Sequence, residues 1–140
     1  MTHIAFIGGG NMARSLIGGL LKTGTSASTI RVAEPRADAR QELGREFGVA
    51  CFAENRLAAA EADILLLAVK PHIMPALQSE LRDDLQRRRP LLISIAAGVR
   101  VDQLERWFGH GLPIVRCMPN TPALIGAGAT GLYANHRVSP

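Results

Sequence analysis

The chain has 140 residues, enough for one domain with a buried core, and 47% hydrophobic against 20% charged residues excludes a disordered chain. No apolar run approaches the roughly 20 residues of a membrane span, and we expect no signal or transit peptide because the first residues enter a strand. The net charge is +4, and the densest cluster of positively charged residues is formed by the arginines at 87–89. No aromatic residues alternate with them, so we interpret them as a solvated loop rather than a nucleic-acid surface.

The first predicted elements are a strand, a glycine turn and a helix. An apolar run at 4–7 ends at three glycines, and leucine and isoleucine then recur at helical spacing through residue 21. Gly8, Gly10 and Ala13 match the dinucleotide fingerprint, in which the glycines allow a tight turn and a close phosphate approach. Three glycines alone could form an ordinary loop. The strand before them and the helix after them favour a dinucleotide site.

Strands and helices continue to alternate along the chain, which requires crossover connections and therefore a parallel sheet. We predict a doubly wound, mostly parallel Rossmann-type α/β fold with helices on both faces of the sheet. A proline-broken loop at 118–128 and a possible extended segment at 129–134 follow the last predicted strand. The further predicted strands are 30–33, 49–52, 64–69, 91–95 and 114–116, and the further helices are 37–47, 55–60, 75–86 and 101–108.

Two side chains after the second strand bear on the choice of coenzyme. An acidic residue here, such as Glu34, accepts hydrogen bonds from the adenosine ribose hydroxyls and favours NAD. A nearby arginine, such as Arg36, accommodates a 2′-phosphate and favours NADP. The chain has both residues, so the sequence leaves NADPH and NADH open, and a solvated ion pair at a turn remains an alternative.

Small residues follow two further strands. Ala68 and Val69 would allow a ribose or pyrophosphate to lie against the backbone, and Lys70 could add positive charge or merely be exposed. After the fifth strand, small residues leave room for a flat ring such as nicotinamide, which is compatible with a plain strand-to-helix turn. The candidate contact residues at these two strand ends are Ala68, Val69, Lys70, Pro71, Ala96, Ala97 and Gly98.

The loop after the sixth strand offers hydrogen-bonding groups between two prolines. Asn120 and Thr121 could hold a carboxamide, although such loops are also common as plain connections. No nucleophile and base lie at catalytic spacing, so the catalytic residues are unknown. His72 is the histidine nearest the predicted site. No cluster of cysteine, histidine or acidic residues has metal-ligand spacing, and we predict no metal site.

Four segments, in chain order, resemble the pyrroline-5-carboxylate reductase family. The proline-rich segment at 116–123 is the most specific of them, and the resemblance extends over essentially the whole chain. The segments are Phe6-Ile7-Gly8-Gly9-Gly10-Asn11-Met12, Ala68-Val69-Lys70-Pro71, Ser94-Ile95-Ala96-Ala97-Gly98-Val99 and Arg116-Cys117-Met118-Pro119-Asn120-Thr121-Pro122-Ala123.

The resemblance implies a role for each matching position. The pyrophosphate would be held by the turn residues Gly8, Gly10, Asn11, Met12 and Ala13. Glu34 and Arg36 would flank the adenosine ribose, with Asn55 near the adenosine. The segments at 68–71 and 96–98 would line the path to the nicotinamide, and its edge would be met by Met118, Pro119, Asn120 and Thr121. Glu34 departs from the small polar residue often found in NADP-preferring members.

The resemblance also implies an activity. The family reduces 1-pyrroline-5-carboxylate to L-proline with NAD(P)H, the final step of proline biosynthesis. Cys51 and Cys117, the two cysteines of the chain, lie far apart in sequence, so we expect reduced thiols in a cytoplasmic protein. Members of the family continue into a helical domain that forms the dimer or higher oligomer and holds the substrate carboxylate. We therefore expect residues 1–136 to be the cofactor domain, 137–140 to begin a linker, and the isolated fragment to be inactive. A non-catalytic dinucleotide-sensing module and a β-hydroxyacid dehydrogenase-like reductase remain alternatives.

Overall fold

The computed structural model describes residues 2–96, 98–119 and 130–134. The helices are α1 (Asn11–Lys22), α2 (Ala37–Phe47), α3 (Asn55–Ala59), α4 (Met74–Arg88) and α5 (Val101–Phe108), with short 3-10 turns at Ala27–Thr29 and Pro71–Ile73. The strands are β1 (Ile4–Ile7), β2 (Ile30–Ala33), β3 (Ala50–Phe52), β4 (Ile64–Leu67), β5 (Leu91–Ser94), β6 (Ile114–Pro119) and β7 (Thr130–Ala134).

The strands form one sheet in the order β3-β2-β1-β4-β5-β6-β7. The pairs from β3 to β6 are parallel, and β7 is antiparallel to β6. The order turns back on itself between β1 and β4, which are paired from Ile4↔Ile64 to Ile7↔Leu67. The predicted doubly wound, mostly parallel fold is therefore confirmed, and this reversal is where such folds bind their ligands.

Helices cover both faces of the sheet. Neighbouring residues of its central strands point to opposite sides, so they are buried in two different core clusters. Ala5 and Ile7 of β1 belong to a core cluster with α3, α4 and α5, whereas Phe6 packs with α1 and α2. Leu65 and Leu66 of β4 divide between the two clusters in the same way. This division explains why β4 is apolar at every position.

The largest difference from the predicted elements lies at the end of the sheet. Strand β6 continues to Pro119, so Met118 and Pro119 end a strand instead of beginning a loop. The extension exists because β7 pairs with it, from Val115↔Ala134 to Pro119↔Thr130. Proline is compatible with a strand at its end, where no ladder hydrogen bond from its nitrogen is required.

Helix α4 also differs from the predicted element. The expected helix at 75–86 begins one residue earlier and is preceded by the 3-10 turn Pro71–Ile73.

The described residues contain no helix with the length and apolar character that a membrane span requires. The expected domain boundary at 136–137 lies outside the described residues.

Candidate functional site

The turn between β1 and α1 requires glycine at its first position. Gly8 has φ of +103°, a backbone conformation that side chains rarely adopt. A Cβ at Gly8 would overlap the carbonyl oxygen of Ala68, at the end of β4. The Gly8 N–H donates a hydrogen bond of 2.9 Å to the carbonyl of Ala33, at the end of β2. The turn is thus held between the ends of three strands.

The second glycine places the turn against Glu34. The Gly9 N–H donates a buried hydrogen bond of 2.9 Å to Glu34 Oε2. A Cβ at Gly9 would lie 2.7 Å from Leu43 Cδ1 on α2, closer than packed atoms approach. The fingerprint assigns roles to Gly8 and Gly10 but none to Gly9. The signal that sequence reasoning could have used is an acidic residue at the end of the neighbouring strand.

The third glycine leaves the N-terminus of α1 open. Gly10 is the N-cap residue, and no side chain caps the helix. No acidic residue lies in the first turn of α1, and a Cβ at Gly10 would meet nothing within 4 Å. The structure shows no acceptor among the described residues for the N–H groups of this first turn, so these groups and the positive end of the helix dipole are available to a phosphate group.

Two cavities flank the glycine turn. We call the one of about 390 Å³ toward β2 the β2-side cavity, and the one of about 320 Å³ toward β5 the β5-side cavity. Both are lined by Gly10, Ala68, Val69 and Lys70, so they form the two halves of one groove across the turn. The groove crosses the point where the strand order reverses.

The β2-side cavity combines an apolar wall with polar groups. Ile73, which is 39% exposed, and the buried Leu77 supply apolar surface from the segment after β4. Glu34 and Asn55 also line this cavity. The Asn55 amide donates a 2.8 Å hydrogen bond to Glu80 Oε2 on α4, which fixes its orientation.

Arg36 does not line either cavity. Its guanidinium donates a 2.7 Å hydrogen bond to Asp38 Oδ2 in the first turn of α2, and both side chains are largely exposed. This hydrogen bond raises the pKa of Arg36 and lowers the pKa of Asp38. Arg36 therefore has an anionic partner in the protein itself.

The β5-side cavity is lined by small and apolar groups. Met12 and Pro71 contribute to its walls, together with Asn11, Ala13, Ile95 and Ala96. The Ala96 N–H donates a 3.3 Å hydrogen bond to the buried Ser94 Oγ, which shapes the turn after β5. Lys70 is the one ionisable residue in the described lining of this cavity.

The remaining predicted residues are not brought into the groove by the described contacts. Gly98 is exposed, with φ of +76°, and lines neither cavity. Met118 and Pro119 are the last residues of β6. Ala97, Asn120 and Thr121 lie outside the described residues, as does most of the predicted loop at 118–128. No group of three or more potential metal ligands occurs in the described part of the chain.

Comparison with known proteins identifies the family. Residues 3–98 match the family model described as NADP oxidoreductase, coenzyme F420-dependent. The chain belongs to this family. The part that matches the NADP oxidoreductase model runs from β1 past Ala96, and it includes every residue that lines the two cavities.

The chain is also similar to pyrroline-5-carboxylate reductases. It is 49% identical to that of Pseudomonas aeruginosa over 137 residues, which are 98% of this chain and 50% of the relative. The solved structure of the Coxiella burnetii reductase has a TM-score of 0.95 at 43% identity, over 99% of this chain and 51% of that one. The Plasmodium falciparum reductase with NADP bound has a TM-score of 0.84 at 27% identity, over 99% of this chain and 50% of that one.

These similarities confirm the family resemblance indicated by the four sequence segments. The chain spans about half the length of the curated relatives it matches.

Proposed function

We propose that this chain is the dinucleotide-binding part of a pyrroline-5-carboxylate reductase. The protein would reduce 1-pyrroline-5-carboxylate to L-proline with NADPH or NADH. The observation that carries the proposal is the pair of adjoining cavities on either side of the glycine turn at the strand reversal, in a chain 49% identical to such a reductase.

The residues of the groove fit a dinucleotide. The open α1 N-terminus at Gly10 would bind the pyrophosphate, because its N–H groups have no acceptor in the described part of the chain and no acidic side chain lies in the first turn. The β2-side cavity, with Glu34 and Asn55, would hold the adenosine. The β5-side cavity, with Met12 and Ala96, would hold the nicotinamide, whose flat ring matches its small lining residues.

The chemistry requires little of this chain beyond positioning. A bound coenzyme would supply hydride from nicotinamide C4 to the carbon of the protonated imine, whose nitrogen already carries the proton of the product amine, and would leave as the oxidised coenzyme. Glu34 and Lys70 are the only ionisable side chains among the lining residues of the two described cavities. Neither belongs to a nucleophile and base pair, so this part of the protein contributes by orienting the reactants and excluding water.

The test is oxidation of NADPH and NADH with 1-pyrroline-5-carboxylate. We expect turnover by the protein translated from its complete reading frame and none by the 140-residue chain, whereas both bind coenzyme. Coenzyme binding without turnover by the complete protein would contradict the substrate assignment and favour a dinucleotide-sensing module. Failure of both to bind coenzyme would contradict the proposal as a whole.

Lys70 supplies the expected cationic contribution to coenzyme binding. It borders both cavities, is exposed, and has no described ion pair. Replacing Lys70 with glutamine is expected to weaken NADH and NADPH about threefold at low ionic strength, because exposed charge interactions are modest and screened by salt. Titration at low and high salt measures the effect.

The matched control is Lys22→Gln in the last turn of α1, far from the helix N-terminus. It removes the same charge from the chain and is expected to leave both affinities unchanged. Equal losses in the two variants would show that net charge, and not the position of Lys70, affects binding.

Three broader properties belong to the same proposal. The substrate would be a small molecule, with no nucleic-acid or membrane partner. The complete protein would form a homodimer or higher oligomer through a domain that follows residue 136. It would act in the cytoplasm, where NAD(P)H is available.

A further inference from the structure

A cavity of about 350 Å³ lies between α3 and the second half of α4, and we call it the α3–α4 cavity. Its lining includes Ala62, just before β4, and Pro90, just before β5, whereas the groove across the glycine turn lies where these two strands end. Each strand has four residues, so about 13 Å of sheet separates the two places. The described linings have no residue in common.

Part of the α3–α4 cavity is apolar. The buried Leu85 and Pro90 line it together with Leu57 of α3, which is 51% exposed. Because Leu57 is half outside the core, its methyl groups are available to a ligand. Apolar surface beside a few polar groups, in a space of roughly 300–1,000 Å³, is typical of small-molecule sites.

Three guanidiniums line the same cavity. Arg56 lies on α3, and Arg87 and Arg88 lie in the last turn of α4. Asp84 accepts hydrogen bonds from Arg56 Nε at 3.1 Å and from Arg87 Nη2 at 2.7 Å, so two guanidiniums share one carboxylate. Each guanidinium has five N–H donors, and the described acceptors use only one of them on each of these two arginines.

Arg88 adds a positive charge that the described residues do not neutralise. It is exposed and has no ion-pair partner in the part of the chain that the structure describes. With Glu54 and Asp84, the described lining carries three cations and two anions, a net charge of +1. The carbonyl end of α4 adds partial negative charge nearby. This balance favours a ligand with one negative charge over a doubly charged phosphate.

We propose that the α3–α4 cavity is a second ligand site, for a small monocarboxylate with an apolar body. The carboxylate accepts paired hydrogen bonds from the arginine donors, and the apolar body lies against Leu57 and Leu85. A guanidinium matches a carboxylate through two parallel N–H···O bonds, which an uncharged ligand of the same shape does not form as strongly.

The probe is hexanoate, and amide NMR spectra of the isotope-labelled 140-residue chain report where it binds. We expect saturable shifts at residues 54–60 and 84–89, with a dissociation constant on the order of 1 mM for a ligand of this size. Hexanamide has the same body without the charge, and acetate has the charge without the body. Each should bind at least about fivefold more weakly. Addition of NADH should not displace hexanoate.

Arg88→Gln removes the unneutralised cation and leaves both hydrogen bonds of Asp84 intact, so hexanoate affinity should fall about fivefold. The matched control is Arg82→Gln, which removes the same charge from an exposed position of the same helix outside the cavity lining. It should leave the affinity unchanged. Leu57→Ala should weaken hexanoate about threefold and leave acetate unchanged, because it removes only apolar contact.

Absence of saturable shifts at these residues would overturn the inference. Equal losses in the two arginine variants would also overturn it, because they would show a response to net charge alone. Shifts at residues 8–13 that NADH reverses would place hexanoate in the groove across the glycine turn and overturn the inference, with the proposed function intact. Shifts caused by a hexaglutamate peptide but not by hexanoate would indicate a protein-docking surface instead. Failure to bind NADH, with hexanoate bound at the α3–α4 cavity, would contradict only the proposed function.

Discussion

Substitution of Gly10 by alanine is expected to weaken coenzyme binding on the order of 100-fold while leaving the fold intact, because a methyl group would occupy the phosphate approach at a helix N-terminus. Gly10 has φ of −76° and ψ of −169°, which any residue adopts, and its Cβ would meet no protein atom within 4 Å. The cost to the unfolding free energy should be at most about 1 kcal/mol, the difference between glycine and alanine as N-cap residues.

Calorimetric titration with NADH and NADPH, together with thermal unfolding, measures both consequences of Gly10→Ala. The matched control is Gly19→Ala, which adds the same methyl group to the same helix where it also meets nothing within 4 Å. Gly19→Ala should bind coenzyme normally. Normal binding by Gly10→Ala would show that the pyrophosphate does not approach this turn.

Substitution of Gly8 by alanine is expected to act mainly on the stability of the fold, whereas Gly10→Ala acts mainly on coenzyme binding. The new Cβ would overlap the Ala68 carbonyl oxygen, a backbone atom that cannot move without shifting β4. The positive φ adds strain that glycine avoids. Together these costs should lower the unfolding free energy by about 3 kcal/mol, or the melting temperature by about 10 °C for a domain of this size.

Chemical and thermal unfolding of Gly8→Ala measure this loss, and Gly48→Ala separates its two causes. Gly48 ends α2 with φ of +72°, but a Cβ there would meet nothing within 4 Å. Gly48→Ala should therefore show the backbone strain alone, about 1 kcal/mol. If the two variants lose equal stability, the close approach between Gly8 and Ala68 does not exist in solution.

Some features of the candidate site follow from the local sequence, and others depend on contacts between distant segments of the chain. The roles of Gly8 and Gly10 could be predicted because a tight turn and a close phosphate approach require glycine wherever they occur. The contact of Gly9 with Glu34 was not predicted, because the acidic residue after β2 was assigned to the ribose and the contact joins residues 25 positions apart. Arg36 was open to two interpretations, and its pairing with Asp38 depends on which rotamer the folded chain selects.

The sequence by itself determined the alternation of strands and helices, because apolar periodicity and glycine and proline positions are local properties. It also determined that β4 is central, since a strand buried on both faces is apolar throughout. Only the tertiary structure decided the pairing of β6 with an antiparallel β7, which extends β6 to Pro119. It alone also placed Glu34, rather than Arg36, against the cavity. Both outcomes depend on which distant segments come into contact, and local periodicity carries no information about that.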